Sequence, residues 1–376
     1  MQARADVVVI GAGVIGCSTA YHLARMGITD VTIVEMNEVG SGTSTKSASM
    51  LSLQFCQDEL SVRMAKYSYA KYMTFEEELG VPIDFKKIGW VFLATEKTSA
   101  RLLRGAELLQ SLGVRTDILE PDQIRHEYPE INTDDLALGT FGPDDGSLDA
   151  HMIMSGYTKR ASEMGVTLYE GVRATGISVQ EGRVVGVHTT SGFVSTEVVV
   201  NAGGPWAIEI GRWAGVEIPI INSTRTVMVT GPFPEIPSNR PFVDDLTAEW
   251  YFRPEGPGIL MAMGTEPTEE PHVQTSYEMV NKIIDVAVHR VPALARASML
   301  TAWTGVRCMT PDNQPIVGPV PSVDGLVLSC GWSGAGIMKA PIAGQLVAEY
   351  VSNHHTSTLD LGPLSIQRFK ERSTIR

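Results

Sequence analysis

The chain is short of cysteine, of aromatic residues and of positive charge. Only four cysteines occur among its 376 residues, and Cys17, Cys56, Cys308 and Cys330 show no CxxC spacing. Neither a zinc site nor a disulfide framework is indicated, and a reducing compartment fits. Lysine and arginine number 30 against 43 aspartates and glutamates, a formal charge of −13, which argues against a protein that tracks nucleic-acid phosphates. No apolar run approaches the ~20 residues of a bilayer-spanning helix. The N-terminus lacks a signal-peptide pattern, because Asp6 stands directly before Val7–Ile10 and glycines follow. These absences leave a folded protein, expected in the cytoplasm, with no metal, membrane or nucleic-acid partner. A hydrophobic content of 43% excludes a disordered chain. The length suits one large body or two intimately joined domains, since a single core stops growing beyond roughly 250–300 residues.

Glycine is abundant, with 36 in the chain, and its placement is informative. The β-branched run Val7–Ile10 leads into Gly11-Ala12-Gly13-Val14-Ile15-Gly16 and a helical pattern as far as Gly27, and a second strand at 31–34 ends at Glu35. Gly11 permits a tight turn, Gly13 lets backbone N–H groups approach a pyrophosphate at the positive helix end, and Gly16 lets the helix pack closely. Glu35 is placed to accept ribose hydroxyls, and its charge disfavours the 2′-phosphate of NADP. NAD and FAD both remain open on this unit alone. The hydroxyl-rich stretch 40–51 then replaces the short connection of a plain NAD-binding unit and can line an extended cofactor.

Further strand-to-glycine-to-helix junctions follow at 201–206 and 331–336. Elsewhere the patterns predict a helix over 57–80, a strand over 88–95 and a helix over 98–112. A loop-rich region spans 115–149, a helix lies near 150–164, and strands follow at 167–170, 172–180, 183–190 and 196–201. Residues 216–300 read as an antiparallel sheet with strands at 226–230, 248–253 and 259–264 and an inserted helix at 274–290. The fold class expected is α/β: a discontinuous Rossmann-like nucleotide domain with a second, α+β domain on an antiparallel sheet. Residues 1–85, 145–215 and 300–376 are assigned to the first, 86–144 and 216–299 to the second.

Six segments together resemble the FAD-dependent D-amino-acid-oxidase superfamily, in its sarcosine oxidase and glycine oxidase branch: VVVIGAGVIG at 7–16, GSGTSTKSASML at 40–51, FGPDDGSLDAH at 141–151, NAGGPWA at 201–207, WTGVRCMTPDNQPIVGP at 303–319 and GWSGAGIMKAP at 331–341. The resemblance implies FAD bound in extended form. Its adenine side would meet Glu35, Met36 and the Val172 backbone, and its pyrophosphate Gly11, Gly13, Val14 and Ile15, with Gly16 behind. Its flavin would meet Thr43, Ser44 and Lys46, then Gly334, Gly336, Ile337 and Met338, and Ser41 and Gly203 complete the set. The resemblance further implies oxidation of a small amino acid, most closely sarcosine, next to nitrogen. Oxygen or another acceptor would take the electrons, and a homo-oligomeric or subunit partner stays open.

Arg307 falls where relatives pair an arginine with the substrate carboxylate, a group that a planar guanidinium suits. Tyr251 matches a substrate-binding tyrosine, although a core tyrosine fits that strand too, and Met50 would lie by the flavin. Three positions depart from sarcosine oxidases. The cysteine that tethers their flavin falls at Gly305, so non-covalent FAD is expected and Cys308 is read as an ordinary buried thiol. Their carboxylate anchors fall near Ser52 and at Met338, with Lys339 one place away and pointing elsewhere. Their oxygen-activating lysine falls near Ala262, which opens a dehydrogenase reading. A flavin-binding assembly protein without turnover is a third reading. The eight histidines, His151 included, are read as structural.

Overall fold

The computed structural model describes residues 1–56 and 58–369. Gln57, the first residue of the helix expected at 57–80, and the last part of the 300–376 segment lie outside them. Two large sheets organise the molecule. The first has nine strands, and its centre is parallel: Val323–Cys330, Val198–Asn201, Val7–Ile10, Val31–Val34 and Thr167–Tyr169 lie side by side in that order. Val7–Ile10 and Val31–Val34 are buried throughout, as parallel strands covered on both faces must be, which is why they read as unbroken apolar runs. The helices Val14–Arg25 and Gly336–Asn353 pack together, and the Ser18 hydroxyl donates to the Ala340 carbonyl at 2.6 Å.

The second sheet has eight strands in the order Met299–Met309, Ile221–Thr230, Gly258–Met263, Trp250–Glu255, Phe242–Asp245, Trp90–Thr95, Leu136–Gly142, Asp117–Leu119. It departs from the expected antiparallel sheet in one place, where Phe242–Asp245 runs parallel to Trp90–Thr95. One face buries Trp250, Phe252, Met261 and Met228 together with Ile283 and Ala287 of the helix Tyr277–Arg290. The opposite face looks toward the first sheet.

Three readings need correction. The region 115–149 is not mainly loop: it holds the strands Asp117–Leu119 and Leu136–Gly142 and the helix Pro121–Glu127. Pro121 starts that helix instead of breaking a segment, because Glu120 and Gln123 form a reciprocal capping box. The helix expected at 57–80 is two helices, Glu59–Met73 and Phe75–Leu79, separated at Thr74. Residues 300–309, grouped above with the nucleotide domain, belong to the eleven-residue strand Met299–Met309 of the second sheet, paired with Ile221–Thr230.

Candidate functional site

A long cavity is lined from both sheets, and one end of it is built by the glycine turn after Val7–Ile10. Gly11 has φ +103°, and a Cβ there would stand 2.7 Å from the Ala202 carbonyl oxygen, so the turn requires glycine. A Cβ on Gly16 would lie 1.9 Å from the Gly11 carbonyl oxygen. Gly16 therefore lets the helix close onto the turn and does not itself line the cavity. Gly13 is the N-cap of the helix Val14–Arg25, which has no acidic residue in its first turn and no side-chain cap. Its positive end consequently faces the cavity with only one side chain answering it, the Ser44 hydroxyl that accepts from the Val14 N–H at 3.0 Å.

Glu35 ends the next strand on the cavity wall. Its carboxylate is fixed by the N–H groups of Ala12 at 2.8 Å and Asn37 at 3.0 Å, while its carbonyl accepts from the Val172 N–H at 2.9 Å. Val172 itself stands behind the wall, which Met36, Arg173 and Ala174 form.

The middle of the cavity is lined by Ser41, Thr43, Ser44 and Lys46, with Gly203 from the second glycine junction and Gly334, Gly336, Ile337 and Met338 from the third. Thr43 ties its loop to the second sheet by donating to the Val306 carbonyl at 2.7 Å, and Trp303 Nε1 donates to the Lys46 carbonyl at 3.2 Å. Gly305 faces Lys46, whose Cβ lies 3.2 Å from where a Gly305 Cβ would be.

The far end combines an aromatic wall with charged groups. Trp90 packs on Phe242 with ring centroids 4.1 Å apart, Phe242 on Tyr251 at 4.9 Å, and Phe55 stacks on Trp90 at 5.9 Å. Met50 lines the same end. Arg307 reaches in from Met299–Met309. Its Nε is buried without a partner, and one terminal nitrogen makes only a 3.5 Å contact to the Gly264 carbonyl. Burial, and then repulsion from Arg225, push its pKa down to about 10, so it stays cationic at neutral pH. A Cβ at Gly334 would lie 3.6 Å from an Arg307 terminal nitrogen, which places the guanidinium against the third glycine junction.

The structure thus brings Arg307, Tyr251 and Met50 to one end of the cavity. It adds residues that sequence reasoning missed: Arg225, whose guanidinium carbon lies 4.7 Å from the Tyr251 ring centroid, Asp244, and the aromatic residues Phe55, Trp90 and Phe242. All except Phe55 sit on strands, and period two carries Tyr251 to the face opposite Trp250 and Phe252. Ser52 does not face a ligand; its hydroxyl donates to Asp145 at 2.7 Å. Lys339 is buried away from the cavity, beside Cys56 and Asp58. Cys308 lines the cavity as a half-buried residue, but its sulfur is buried as expected, which keeps the thiol protonated with a pKa pushed up to about 12. Among the described residues no cluster of His, Cys, Asp and Glu could hold a metal, and no helix is long and apolar enough to cross a membrane.

A glycine turn with no room for a Cβ, a helix N-terminus answered only by the Ser44 hydroxyl and a carboxylate at one end suit an extended dinucleotide, with the aromatic and cationic end left for a second molecule. The comparisons agree. The family model described as FAD dependent oxidoreductase matches residues 6–350. Human mitochondrial sarcosine dehydrogenase is 30% identical over 100% of this chain, which spans 42% of that protein's length. An L-proline dehydrogenase from P. horikoshii superposes with a TM-score of 0.90 at 27% identity, covering 99% of each chain. A glycine oxidase from Geobacillus kaustophilus gives 0.86 at 28% identity, covering 98% of this chain and 99% of its own.

Proposed function

This chain belongs to the FAD dependent oxidoreductase family, and from that premise we propose that it oxidises a small secondary amino acid, with sarcosine as the first candidate, at the C–N bond. The observation that carries this reading is Arg307: a cavity-lining guanidinium with no ion pair among the described residues, whose terminal nitrogen makes only a 3.5 Å contact to the Gly264 carbonyl, set beside an aromatic wall. A small carboxylate would pair with its terminal nitrogens, and a side chain no larger than methyl or a proline ring would meet Phe242, Tyr251 and Met50.

Bound FAD supplies the hydride acceptor. In this reading the backbone of Gly11, Gly13, Val14 and Ile15 receives the pyrophosphate at the helix N-terminus, with Gly16 as packing. Glu35, held by Ala12 and Asn37, meets the ribose, with Met36 and the Val172 backbone on the adenine side. Ser41, Thr43, Ser44, Lys46, Gly203, Gly334, Gly336, Ile337 and Met338 surround the flavin. With Gly305 where sarcosine oxidases have their tethering cysteine, the FAD is non-covalent and acid precipitation releases it. Arg307 anchors the carboxylate, and Tyr251, Met50 and the aromatic wall exclude water and fix the reacting carbon.

A second reading has the same chemistry with a partner or another acceptor in place of oxygen. Ala262 favours it, because this fully buried position in Gly258–Met263 is where the oxygen-activating lysine of sarcosine oxidases would fall. The dehydrogenase names of two relatives point the same way. Anaerobic mixing with glycine, sarcosine, L-proline and D-alanine, followed by admission of air, tests both. Bleaching by sarcosine or proline supports the substrate class, and peroxide on reoxidation then selects the oxidase. No bleaching by any of the four refutes the amino-acid reading.

A further inference from the structure

Five acidic side chains are buried among the described residues: Glu35, Asp145, Asp244, Asp245 and Glu349. Four are saturated by the protein. Glu35 accepts from Ala12 and Asn37. Asp145 accepts from the Ser52 hydroxyl, the Leu53 N–H and Gln54. Asp245 accepts from Arg290 at 2.8 Å and from the Thr247 and Ala248 N–H groups at 3.0 Å. Glu349 accepts from the N–H groups of Ser357 and Thr358. Asp244 is the exception. It is 7% exposed and lines the cavity, yet no described residue donates a hydrogen bond to its carboxylate, and no basic nitrogen comes within the 4.0 Å of an ion pair.

A buried carboxylate without donors is costly, and its position indicates what could satisfy it. Asp244 stands directly across from Tyr251 in the ladder, so the two side chains share the cavity face. Arg225 and Arg307 both act on Asp244 electrostatically without touching it. Arg307 and Asp244 therefore line the same cavity as a cation and an acceptor that are neither hydrogen-bonded nor ion-paired to each other. The α-amino acid zwitterion carries the complementary pair, a carboxylate and an ammonium one carbon apart.

We propose that Asp244 is the catalytic acceptor of the substrate's ammonium proton, holding the nitrogen while Arg307 holds the carboxylate. This rests on the amino-acid reading above. In the step, an N–H bond of the ammonium breaks, the proton passes to an Asp244 carboxylate oxygen, and the bonding pair stays on nitrogen as its lone pair. The neutral amine then supports departure of hydride from the adjacent carbon, which the ammonium cannot do. Asp244 returns the proton to solvent once the product leaves.

The groups that face Asp244 are Arg225 from Ile221–Thr230, Arg307 from Met299–Met309, Tyr251 from Trp250–Glu255 and Glu249 just before that strand. Trp90–Thr95 brings no ionisable side chain, Asp245 is turned to Arg290 on the other face, and the His272 ring packs against Trp206. Burial raises the Asp244 carboxyl to about 7; Arg225 and Arg307 oppose the rise, and Asp245 and Glu249 add to it. Below pH ~7 the carboxyl is already protonated and cannot accept, so the rate constant for reduction divided by the substrate Kd rises with pH through that value.

The test compares the FAD-loaded wild-type protein with Asp244→Asn and Asp244→Glu. Sarcosine is paired with methoxyacetate, its isostere without an ionisable nitrogen. Methoxyacetate binding is read from the perturbed flavin spectrum, and anaerobic reduction by sarcosine and L-proline is followed from pH 6 to 9. For Asp244→Asn we expect the visible spectrum of bound FAD and the methoxyacetate Kd to stay within about threefold of wild type. Reduction should fall on the order of 10²-fold, the contribution typical of a positioned base, with loss of the limb near pH 7, and Asp244→Glu should regain part of both. Reduction of Asp244→Asn at the wild-type rate with the limb intact overturns the proposal, as does equal loss of methoxyacetate and sarcosine binding. A wild-type protein that none of these amines reduces refutes the amino-acid reading itself and this assignment with it.

Discussion

Replacing Asp244 by asparagine should stabilise the protein, and by an amount that depends on pH. The carboxyl stands near 7 in the folded chain against an ordinary 3.8. A group whose pKa is raised by folding binds protons more tightly in the native state, so it costs nothing below the unfolded value and its full amount above the folded one. At about 1.4 kcal/mol per tenfold change in proton affinity, the cost above pH ~7 is on the order of 4 kcal/mol. A chain of 376 residues unfolds with an entropy of roughly 0.8 kcal/mol/K, so the difference corresponds to about 5 °C in Tm. Asparagine keeps the burial cost of a polar group at every pH, which makes the change in the Tm difference the quantity to read. Scanning calorimetry of the FAD-loaded wild type and Asp244→Asn should show their Tm difference widening in favour of the variant by about 4 °C between pH 4.5 and 8. A difference that stays flat across this range would show that Asp244 is not a strained carboxylate and would remove the physical basis for its assigned role.

Arg307→Ala should weaken methoxyacetate binding about 10²-fold, as expected for a charge-assisted pair worth ~1.5–3 kcal/mol, and Arg307→Lys less so; flavin absorbance per mole of protein should be unchanged in both. Gly16→Ala drives a Cβ to 1.9 Å from backbone oxygen at the point where helix and turn meet, and should give protein that purifies without flavin or fails to fold, read by visible absorbance and circular dichroism. Arg290 joins Asp245 and Asp135 on the buried side of the second sheet. Arg290→Met leaves the buried Asp245 without its cation and should cost ~3–5 kcal/mol in urea denaturation, while a neutral partner, Asp245→Asn combined with it, should recover part of that loss.

What the sequence disclosed about the site divides by how the site is built. The glycine junctions are contiguous: strand, turn and helix follow one another within ten residues, so the spacing of Gly11, Gly13, Gly16 and Glu35 already states the geometry. The far end is assembled across strands instead. Arg225, Asp244, Tyr251 and Arg307 become neighbours through cross-strand register alone, and no local pattern announces register between distant segments. Asp244 was hidden further by its neighbour. Two adjacent aspartates, Asp244 and Asp245, look like a solvated turn, and only their place at the end of a strand sends one to Arg290 and the other to the cavity. Leu136–Gly142 was illegible for a related reason: its two glycines argue against a strand, and it is held in place by pairing on both sides, with Trp90–Thr95 and Asp117–Leu119.

The charge of −13 bears on these assignments through its distance from the site. At physiological ionic strength surface charges are screened within ~8 Å, so the acidic exterior does little to a small ligand once it has entered the cavity. There it meets Arg225, Arg307 and Asp244, which line the same cavity. A pocket with the two guanidiniums alone would prefer any small anion, acetate as readily as an amino acid. The carboxylate changes that preference, because it rewards an anion that carries an ammonium group alongside. On the proposed role, specificity for amino acids over carboxylic acids resides in a residue whose burial costs the fold on the order of 4 kcal/mol above pH ~7, which gives a physical reason for an enzyme to retain an aspartate that asparagine would replace with a gain in stability.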